Sequence, residues 1–244
     1  MTGTLTIAGL GPGDEALITP EVSAALAVAT DIIGYAPYVS RVPPRAGLTL
    51  HPSDNRVEVQ RASEALRLAS EGHHVVVVSS GDPGVFAMAS AVFEALENAP
   101  QWHELPIRVL PGVTAMLAAA ASAGAPLGHD FCAINLSDNL KPWPLIEKRL
   151  RLAADADFAI AMYNPRSASR PDGFGRVLEI LREAGCGERI VIFARAVSTS
   201  EQRIETVLLQ DARPEMADMR TVVIVGNSAT RRVGRWVYAP RQVR

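Results

Sequence analysis

The residue types best suited to ligand chemistry lie in a glycine-rich loop near the start of the chain. A short β-rich run, Thr4 to Ala8, leads directly into the loop Gly9 to Asp14, which reads GLGPGD. Such a loop can bring backbone N–H groups close to a pyrophosphate where a helix begins. Here Pro12 lacks an N–H, Asp14 adds a negative charge, and the third glycine follows the second by two residues instead of three. We therefore expect a loop that lines a ligand cleft, with a nucleotide loop and a plain structural turn as the alternatives.

A second glycine loop, Gly81 to Phe86, follows the continuous β-branched run Val75 to Val78. A run without polar alternation is typical of a strand buried on both faces of a parallel sheet, and such sheets bind ligands at the carboxyl ends of their strands. The loop exposes backbone amides and carbonyls, and the Asp82 carboxylate could accept hydrogen bonds from hydroxyl groups or attract a cation such as a sulfonium. We expect a ligand loop here, and an ordinary turn is the alternative.

Composition and charge exclude several classes of function. Apolar residues make up 48% of the 244 residues and charged residues 20%, as in ordinary globular proteins. The formal net charge of −2 provides no global positive field, so no nucleic-acid partner is expected. Cys132, Cys186 and the five histidines lack metal-ligand spacing, so we expect no bound metal. No targeting or membrane-spanning segment is recognised, so we expect a cytoplasmic protein without membrane contact.

Positive charge in this chain is carried almost entirely by arginine. Lysine occurs only at Lys141 and Lys148. The planar guanidinium suits bidentate binding of carboxylates, which favours a polycarboxylate ligand. A genomic base composition that favours arginine is the alternative explanation.

Strand and helix patterns alternate along the chain and predict an α/β fold. The second half also reads as α/β, with mixed strand directions. A loop is expected through Pro43, Pro44 and Pro52. The Gly- and Pro-rich segment 124–128 ends a helical pattern, so we predict two domains, residues 1–124 and 125–244. The basic tail, residues 230–244, is predicted to be a fraying terminus, with a subunit contact or a gate over an acidic substrate as alternatives.

Four ordered motifs resemble those of the tetrapyrrole (corrin/porphyrin) methylases. They are Gly9 to Asp14, Gly81 to Phe86, Pro111 to Ala115 (PGVTA) and Met162 to Pro165 (MYNP). The similarity covers roughly residues 4 to 227. It implies two α/β domains of the tetrapyrrole methylase type, with S-adenosyl-L-methionine in a cleft between them, S-adenosyl-L-homocysteine as product and a homodimeric assembly.

Three narrower segments are similar to the branch of this family that methylates carbon 17 of precorrin-3B and contracts its ring to give precorrin-4 in cobalamin biosynthesis. They are Ile33 to Tyr38, Leu136 to Leu140 with Pro142-Trp143, and Tyr163 to Ser167. Two cysteines cannot supply the usual four ligands of an iron–sulfur cluster, so we prefer cobalt-free precorrin-3B over a cobalt-bearing substrate. The alternatives are methylation at another carbon of a corrinoid or porphyrinoid, a noncatalytic protein that binds a tetrapyrrole or S-adenosylmethionine, and a nucleotide-binding oxidoreductase.

The resemblance also assigns ligand-binding residues. The cofactor would be surrounded by Gly81, Asp82, Gly84, Val85, Phe86, Thr114, Ala115, the backbone around Met162 and Tyr163, and, more weakly, Ala194 and Gly226. The first glycine loop would face the tetrapyrrole, which makes Gly11 and Pro12 substrate-binding candidates. Tyr35 and Tyr38 could pack on the flat macrocycle, and Arg166 could pair with a substrate carboxylate. For the two tyrosines ordinary loop packing is the alternative, and for Arg166 a solvated surface position.

Methyl transfer from a sulfonium needs in-line positioning and no metal, whereas ring contraction needs a proton acceptor for the carbon-20 hydroxyl. Asp14, His129 and Asp138 are the candidate bases, and Asp138 is preferred because it lies in the branch-specific segment. The alternative for Asp138 is a cap on the helix that begins near Trp143.

Overall fold

The computed structural model describes residues 3–55, 57–167 and 170–242. They form two compact units, Met1–Thr114 and Ala115–Arg244. Both units are α/β, as the sequence predicted. Within the described residues, no helix is long and apolar enough to cross a membrane.

The first unit is built on one parallel five-stranded sheet with the order β3-β2-β4-β1-β5. Its strands are β1 (Thr4–Gly9), β2 (Asp31–Tyr35), β3 (Thr49–Ser53), β4 (His74–Ser79) and β5 (Ile107–Leu110). In β4, Val75 to Val78 are all buried, as expected for a central strand covered on both faces. Because every strand runs in the same direction, the loops that follow them all emerge at one edge of the sheet.

Helices of the first unit cover this sheet. They are α1 (Pro20–Val28), α2 (Ala36–Val39), α3 (Glu58–Ser70) and α4 (Met88–Glu97), with short 3-10 helices at Glu15–Leu17 and Pro100–Trp102. The α1 helix begins where the Thr19 side chain accepts a hydrogen bond from the Val22 amide, next to Pro20 in the first turn. The α3 helix buries one face, including Ala62, Leu66 and Ala69, against the sheet.

The second unit contains a mixed five-stranded sheet with the order β10-β9-β11-β8-β7 and a small three-stranded sheet, β12-β13-β6. Its strands are β6 (Gly124–Ala125), β7 (Phe131–Asn135), β8 (Ala159–Tyr163), β9 (Ile190–Arg195), β10 (Arg203–Leu208), β11 (Thr221–Val225), β12 (Arg231–Val233) and β13 (Trp236–Tyr238). Its helices are α5 (Ala115–Ala123), α6 (Trp143–Asp155) and α7 (Gly173–Glu183), with 3-10 turns at Leu209–Asp211 and Pro214–Met216. Strand β11 is antiparallel to β8 and β9, which confirms the mixed directions.

Two local predictions were wrong. The stretch expected to be loop contains α2 and β3, and Pro52 lies within β3. A proline fits there because β3 is an edge strand, where a missing N–H costs no ladder bond. The basic tail is a β-hairpin rather than a fraying end as far as residue 242. Its two-residue turn has Gly234 at φ +57°, and β13 pairs with β6. Residues 243 and 244 lie outside the described residues.

The compact units divide ten residues before the predicted domain boundary at 124/125. The Ala-rich helix α5 packs against β10, β11 and β13, so it belongs with the second unit. The glycine and proline residues after it carry the short strand β6 instead of forming only a connection.

Candidate functional site

Three loops of the first unit meet at the carboxyl edge of its sheet, and they follow β1, β4 and β5. Gly11 and Gly81 exchange backbone hydrogen bonds at 3.2 and 2.9 Å. A Cβ added at Gly9 would lie 2.5 Å from the Gly81 carbonyl oxygen, and one at Gly112 would collide with the same oxygen. The glycines therefore allow the backbones of the three loops to touch.

Asp82 joins two of these loops through its carboxylate. Its Oδ1 accepts a hydrogen bond from the Gly84 amide at 2.8 Å, and its Oδ2 accepts one from the Gly112 amide at 3.0 Å. Both bonds are charge-assisted, which makes them stronger than bonds between neutral groups. Asp82 thus fixes the shape of its own loop and ties that loop to the one after β5.

The end of the same loop is open and strained. Phe86 has φ +54° and is 47% exposed, and Gly84 beside it is also exposed. A left-handed conformation is uncommon for a bulky residue and is concentrated at ligand sites and switch regions. The segment Gly84 to Phe86 therefore exposes backbone polar groups and an aromatic ring at this edge of the sheet.

Arg41 binds the backbone of the first glycine loop, a role that the sequence did not indicate. Its guanidinium donates hydrogen bonds to the carbonyls of Leu10, Gly11 and Gly13 at 2.5, 3.0 and 3.0 Å. Burial lowers the pKa of Arg41 from its ordinary value. Three backbone acceptors for one planar cation give the loop a fixed shape, and no local motif around residue 41 signals the contact.

The candidate base Asp14 and the predicted substrate-binding residues of the first unit lie on or beside these loops. Asp14 caps the short helix Glu15–Leu17, because its side chain accepts a hydrogen bond from the Ala16 amide at 2.9 Å. Gly11 is buried and Pro12 half-buried. The rings of Tyr35 and Tyr38 form an edge-to-face pair with centroids 5.3 Å apart. Tyr38 packs against the core, and burial raises its pKa. Much of its side chain is therefore covered by ordinary packing, which was the alternative to a substrate contact.

In the second unit, Tyr163 joins three elements at the carboxyl edge of β8. Its carbonyl accepts a hydrogen bond from the Leu136 amide at 2.9 Å, and its hydroxyl accepts one from the Met116 amide at 3.0 Å. Met162 and Ala194 are fully buried. These two residues can therefore offer only backbone groups to a ligand.

Strained backbone marks the same edge of the second sheet. Asn164 has φ +54°, Ala196 +47° and Ser198 +61°, and they follow the ends of β8 and β9. The side-chain amide Nδ2 of Asn164 donates a hydrogen bond to Oδ1 of Asn135 at 3.0 Å, which links the ends of β7 and β8. Non-glycine residues at positive φ collect at ligand sites, so Ala196 and Ser198 extend the candidate site beyond the residues found from sequence.

The structure does not bring Gly226 to this edge. Val223 pairs with Met162, whereas Val225 pairs with Ile160, so Gly226 follows β11 at the opposite end of the sheet. Its amide donates to the Ile190 carbonyl, at the start of β9. Among the weaker cofactor candidates, Ala194 lies at the edge with Tyr163 and Gly226 does not.

The two candidate bases of the second unit lie at opposite ends of β7. Asp138 follows the strand, and its Oδ1 is 3.7 Å from Nε of Arg170. His129 precedes the strand, and its Nδ1 accepts a hydrogen bond from the Asp130 amide at 2.8 Å. Helix α6 has Pro142 at its N-cap position, so Asp138 is not its cap.

The substrate candidate Arg166 follows β8. Its Nε donates to the Pro171 carbonyl at 3.1 Å, within its own loop. Within the described residues, no group of three or more His, Cys, Asp or Glu side chains could hold a metal ion.

Comparison with known proteins identifies the family. The pattern that defines the tetrapyrrole (corrin/porphyrin) methylases matches residues 4–213. The chain belongs to this family. It is 50% identical over 247 aligned residues to a precorrin-3B C(17)-methyltransferase of a Sinorhizobium species, and the alignment covers 99% of this chain and 97% of that protein.

Two solved structures share this fold. The crystal structure of the methyltransferase CobJ has a TM-score of 0.96 and 71% sequence identity, and the match covers 98% of this chain and all of that one. A uroporphyrin-III C-methyltransferase from Thermus thermophilus, solved with S-adenosylhomocysteine, has a TM-score of 0.71 at 22% identity and covers 92% of each chain. The second likeness concerns the fold alone.

Proposed function

We propose that this protein transfers a methyl group from S-adenosylmethionine to carbon 17 of precorrin-3B and contracts the ring to precorrin-4 in cobalamin biosynthesis. The observation that carries the proposal is the 50% identity, over almost the whole of both chains, to a precorrin-3B C(17)-methyltransferase. The 71% identity to the methyltransferase CobJ supports the same reaction class.

The residues present fit S-adenosylmethionine. The cofactor has an adenine ring with apolar faces and a polar edge, ribose hydroxyls and a zwitterionic amino-acid end, so it needs both apolar surface and backbone polar groups. Gly84 to Phe86 offer both in the first unit, and Asp82 holds them in place. In the second unit, Tyr163 lies against the first turn of α5, because its hydroxyl accepts a hydrogen bond from the Met116 amide, next to Ala115.

When bound, the cofactor supplies an electrophilic methyl group on a positively charged sulfur. The task of the chain is to hold carbon 17 about 3 to 3.5 Å from that methyl group and in line with the sulfur, since orientation alone can lower the barrier by several kcal/mol. The glycine loops of the first unit suit this task because hydrogen bonds from their backbones to Asp82 and from Arg41 to their carbonyls fix their shape. No metal and no covalent enzyme intermediate are needed for this displacement.

For ring contraction, we assign Asp138 as the group that accepts the carbon-20 hydroxyl proton. Its carboxylate is 44% exposed, so a substrate can reach it, and Arg170 restrains it from one side. Methylation and contraction then depend on different residues. The Asp138→Asn variant should methylate precorrin-3B and stop before contraction, whereas Asp172→Asn, which changes an exposed carboxylate at the start of α7, should do both.

The proposal is tested by incubating the protein with methyl-labelled S-adenosylmethionine and precorrin-3B, or with its cobalt-bearing counterpart, and measuring product mass. Transfer to the cobalt-free substrate is expected. Transfer only to the cobalt-bearing substrate would change the substrate assignment. Binding of S-adenosylhomocysteine without transfer to either would contradict the proposed reaction. A homodimer and a cytoplasmic location stay predictions.

A further inference from the structure

A cluster of positive charge surrounds Asp138 on the loop between β7 and α6. Arg170 lies 3.7 Å from the Asp138 carboxylate, and its side chain is only 16% exposed. It also donates hydrogen bonds to the carbonyls of Leu136 and Asn164. Arg170 therefore belongs to the framework of this loop.

Lys141 and Arg149 add two further cations to the cluster. Lys141 is half-buried, and burial together with the charges of Arg149 and Arg170 lowers its pKa, while Asp138 opposes this shift. In the part of the chain that the structure describes, neither Lys141 nor Arg149 forms an ion pair with a carboxylate. Asp138 pairs with one of the three cations, Arg170, so the other two have no carboxylate partner among the described residues.

Leu140, the residue before Lys141, is apolar and exposed to solvent. Leu140 is 99% exposed, more than any other large apolar side chain among the described residues. Lone exposed apolar residues are common on protein surfaces, but this one lies beside uncompensated cations. An apolar tip next to cations complements a ligand that has an apolar ring and carboxylate arms.

The position of the loop fits such a ligand. The loop begins at Leu136, whose amide donates to the Tyr163 carbonyl, so it leaves the sheet at the same edge as the proposed cofactor contacts of this unit. A macrocycle whose reacting carbon is near the methyl donor extends well beyond it, and its peripheral side chains reach the surrounding loops. Residues 136–142 are one of these loops.

We propose that Lys141 binds a peripheral carboxylate of the tetrapyrrole substrate, with Arg149 adding positive charge, and that Leu140 packs on its ring. This inference rests on the proposed function and names residues that determine its substrate class. A charge-assisted hydrogen bond between ammonium and carboxylate orients the macrocycle in its plane, which the stacking of rings alone does not do. Arg170 adds positive charge near this site and holds the loop through its hydrogen bonds to the carbonyls of Leu136 and Asn164.

The test compares substitutions at the only two lysines of the chain. Lys141→Gln should raise the KM for precorrin-3B about tenfold, as expected for loss of one charge-assisted bond, and leave the Kd for S-adenosylhomocysteine unchanged. Lys141→Arg should recover most of the loss because it keeps the charge. Lys148→Gln, which removes an exposed lysine from α6, is the matched control and should behave as the wild type. An unchanged KM in Lys141→Gln, or an equal rise in the Kd for S-adenosylhomocysteine, would overturn the proposal.

A binding measurement separates this inference from the proposed function. Uroporphyrin is a fluorescent tetrapyrrole polycarboxylate, so its binding can be followed without turnover. Lys141→Gln should weaken uroporphyrin binding by a factor similar to the rise in KM. The difference in affinity from wild type should become smaller in about 0.5 M salt, because the Debye length is then well below 10 Å. If wild type fails to methylate precorrin-3B but shows this difference, the reaction assignment fails and the carboxylate site stands. If Lys141→Gln binds uroporphyrin as tightly as wild type, the carboxylate site fails.

Discussion

Removing the Asp82 carboxylate should weaken cofactor binding by loosening two loops at once. The carboxylate accepts one hydrogen bond inside its own loop and one from the loop after β5. In Asp82→Ala both amides lose this partner. In Asp82→Asn one acceptor oxygen remains, so only one of the two bonds can be kept.

The size of the effect follows from the two bonds. Hydrogen bonds to charged groups contribute about 1.5 to 3 kcal/mol each, and Asp82 is only half-buried, so the lower value applies. Loss of both bonds then costs about 3 kcal/mol. If all of this cost falls on ordering the loop at binding, the Kd for S-adenosylhomocysteine rises by about 100-fold, which is the upper limit. Asp82→Asn should lie near tenfold, with about half the cost.

Isothermal titration calorimetry with S-adenosylhomocysteine measures both variants, and thermal unfolding of the free proteins shows how much of the cost already appears without ligand. Asp172→Ala provides the control, because its exposed carboxylate makes no capping bond to a described residue. If Asp82→Ala had both the Kd and the Tm of the wild type, the proposed role of the Asp82 carboxylate in joining the two loops would be refuted.

Three further predictions concern other parts of the molecule. Asp31 is almost fully buried, and although burial pushes its pKa up, hydrogen bonds from two histidines and a threonine hold it below the ordinary value. The contribution of Asp31 to folding stability is therefore complete above the unfolded pKa of about 3.9 and is lost as the pH falls through the lower folded pKa. Asp31→Asn should lower Tm by about 4 to 8 °C at pH 7 but by less near about pH 3. Equal losses of Tm at both pH values would contradict this. Tyr163→Phe leaves the Met116 amide without its acceptor and should weaken S-adenosylhomocysteine binding about fivefold by calorimetry, whereas an unchanged Kd would separate this bond from the cofactor site. Burial raises the pKa of both thiols, Cys132 and Cys186, so iodoacetamide at neutral pH should modify the native protein more slowly than the urea-unfolded protein by mass spectrometry, and equal rates would contradict this.

Much of the fold could be predicted because its signals are local. The run Val75 to Val78 shows a strand covered on both faces, and the spacing of Ala62, Leu66 and Ala69 shows the buried face of a helix. The strand β3 could not be found in this way. It is short, lies at the edge and contains Pro52, a residue that normally argues against a strand.

The tail illustrates a different limit. Its arginines give a strongly polar pattern, and its strands are only three residues long, so the pairing of β13 with β6 about 110 residues earlier supplies the order that local propensity lacks. Nothing near residue 237 in the sequence indicates that partner.

Motifs located most of the candidate site but not what holds it. Gly81 and Gly112 were found as parts of loops, whereas the close contact of their backbones depends on the strand order of the sheet. Arg41 was missed because its acceptors are backbone carbonyls 28 to 31 residues away in the chain. Gly226 was assigned by family resemblance, and the antiparallel direction of β11 places it at the other end of the sheet from Tyr163.

Carbon-13 NMR of the product shows whether the protein methylates carbon 17 and then contracts the ring. The protein would be incubated anaerobically with precorrin-3B and S-adenosylmethionine that carries a carbon-13 methyl group. We expect label at carbon 17 in a contracted macrocycle that bears an acetyl group derived from carbon 20. Label at any other carbon, or at carbon 17 of a ring that stays uncontracted with the wild-type protein, would contradict it.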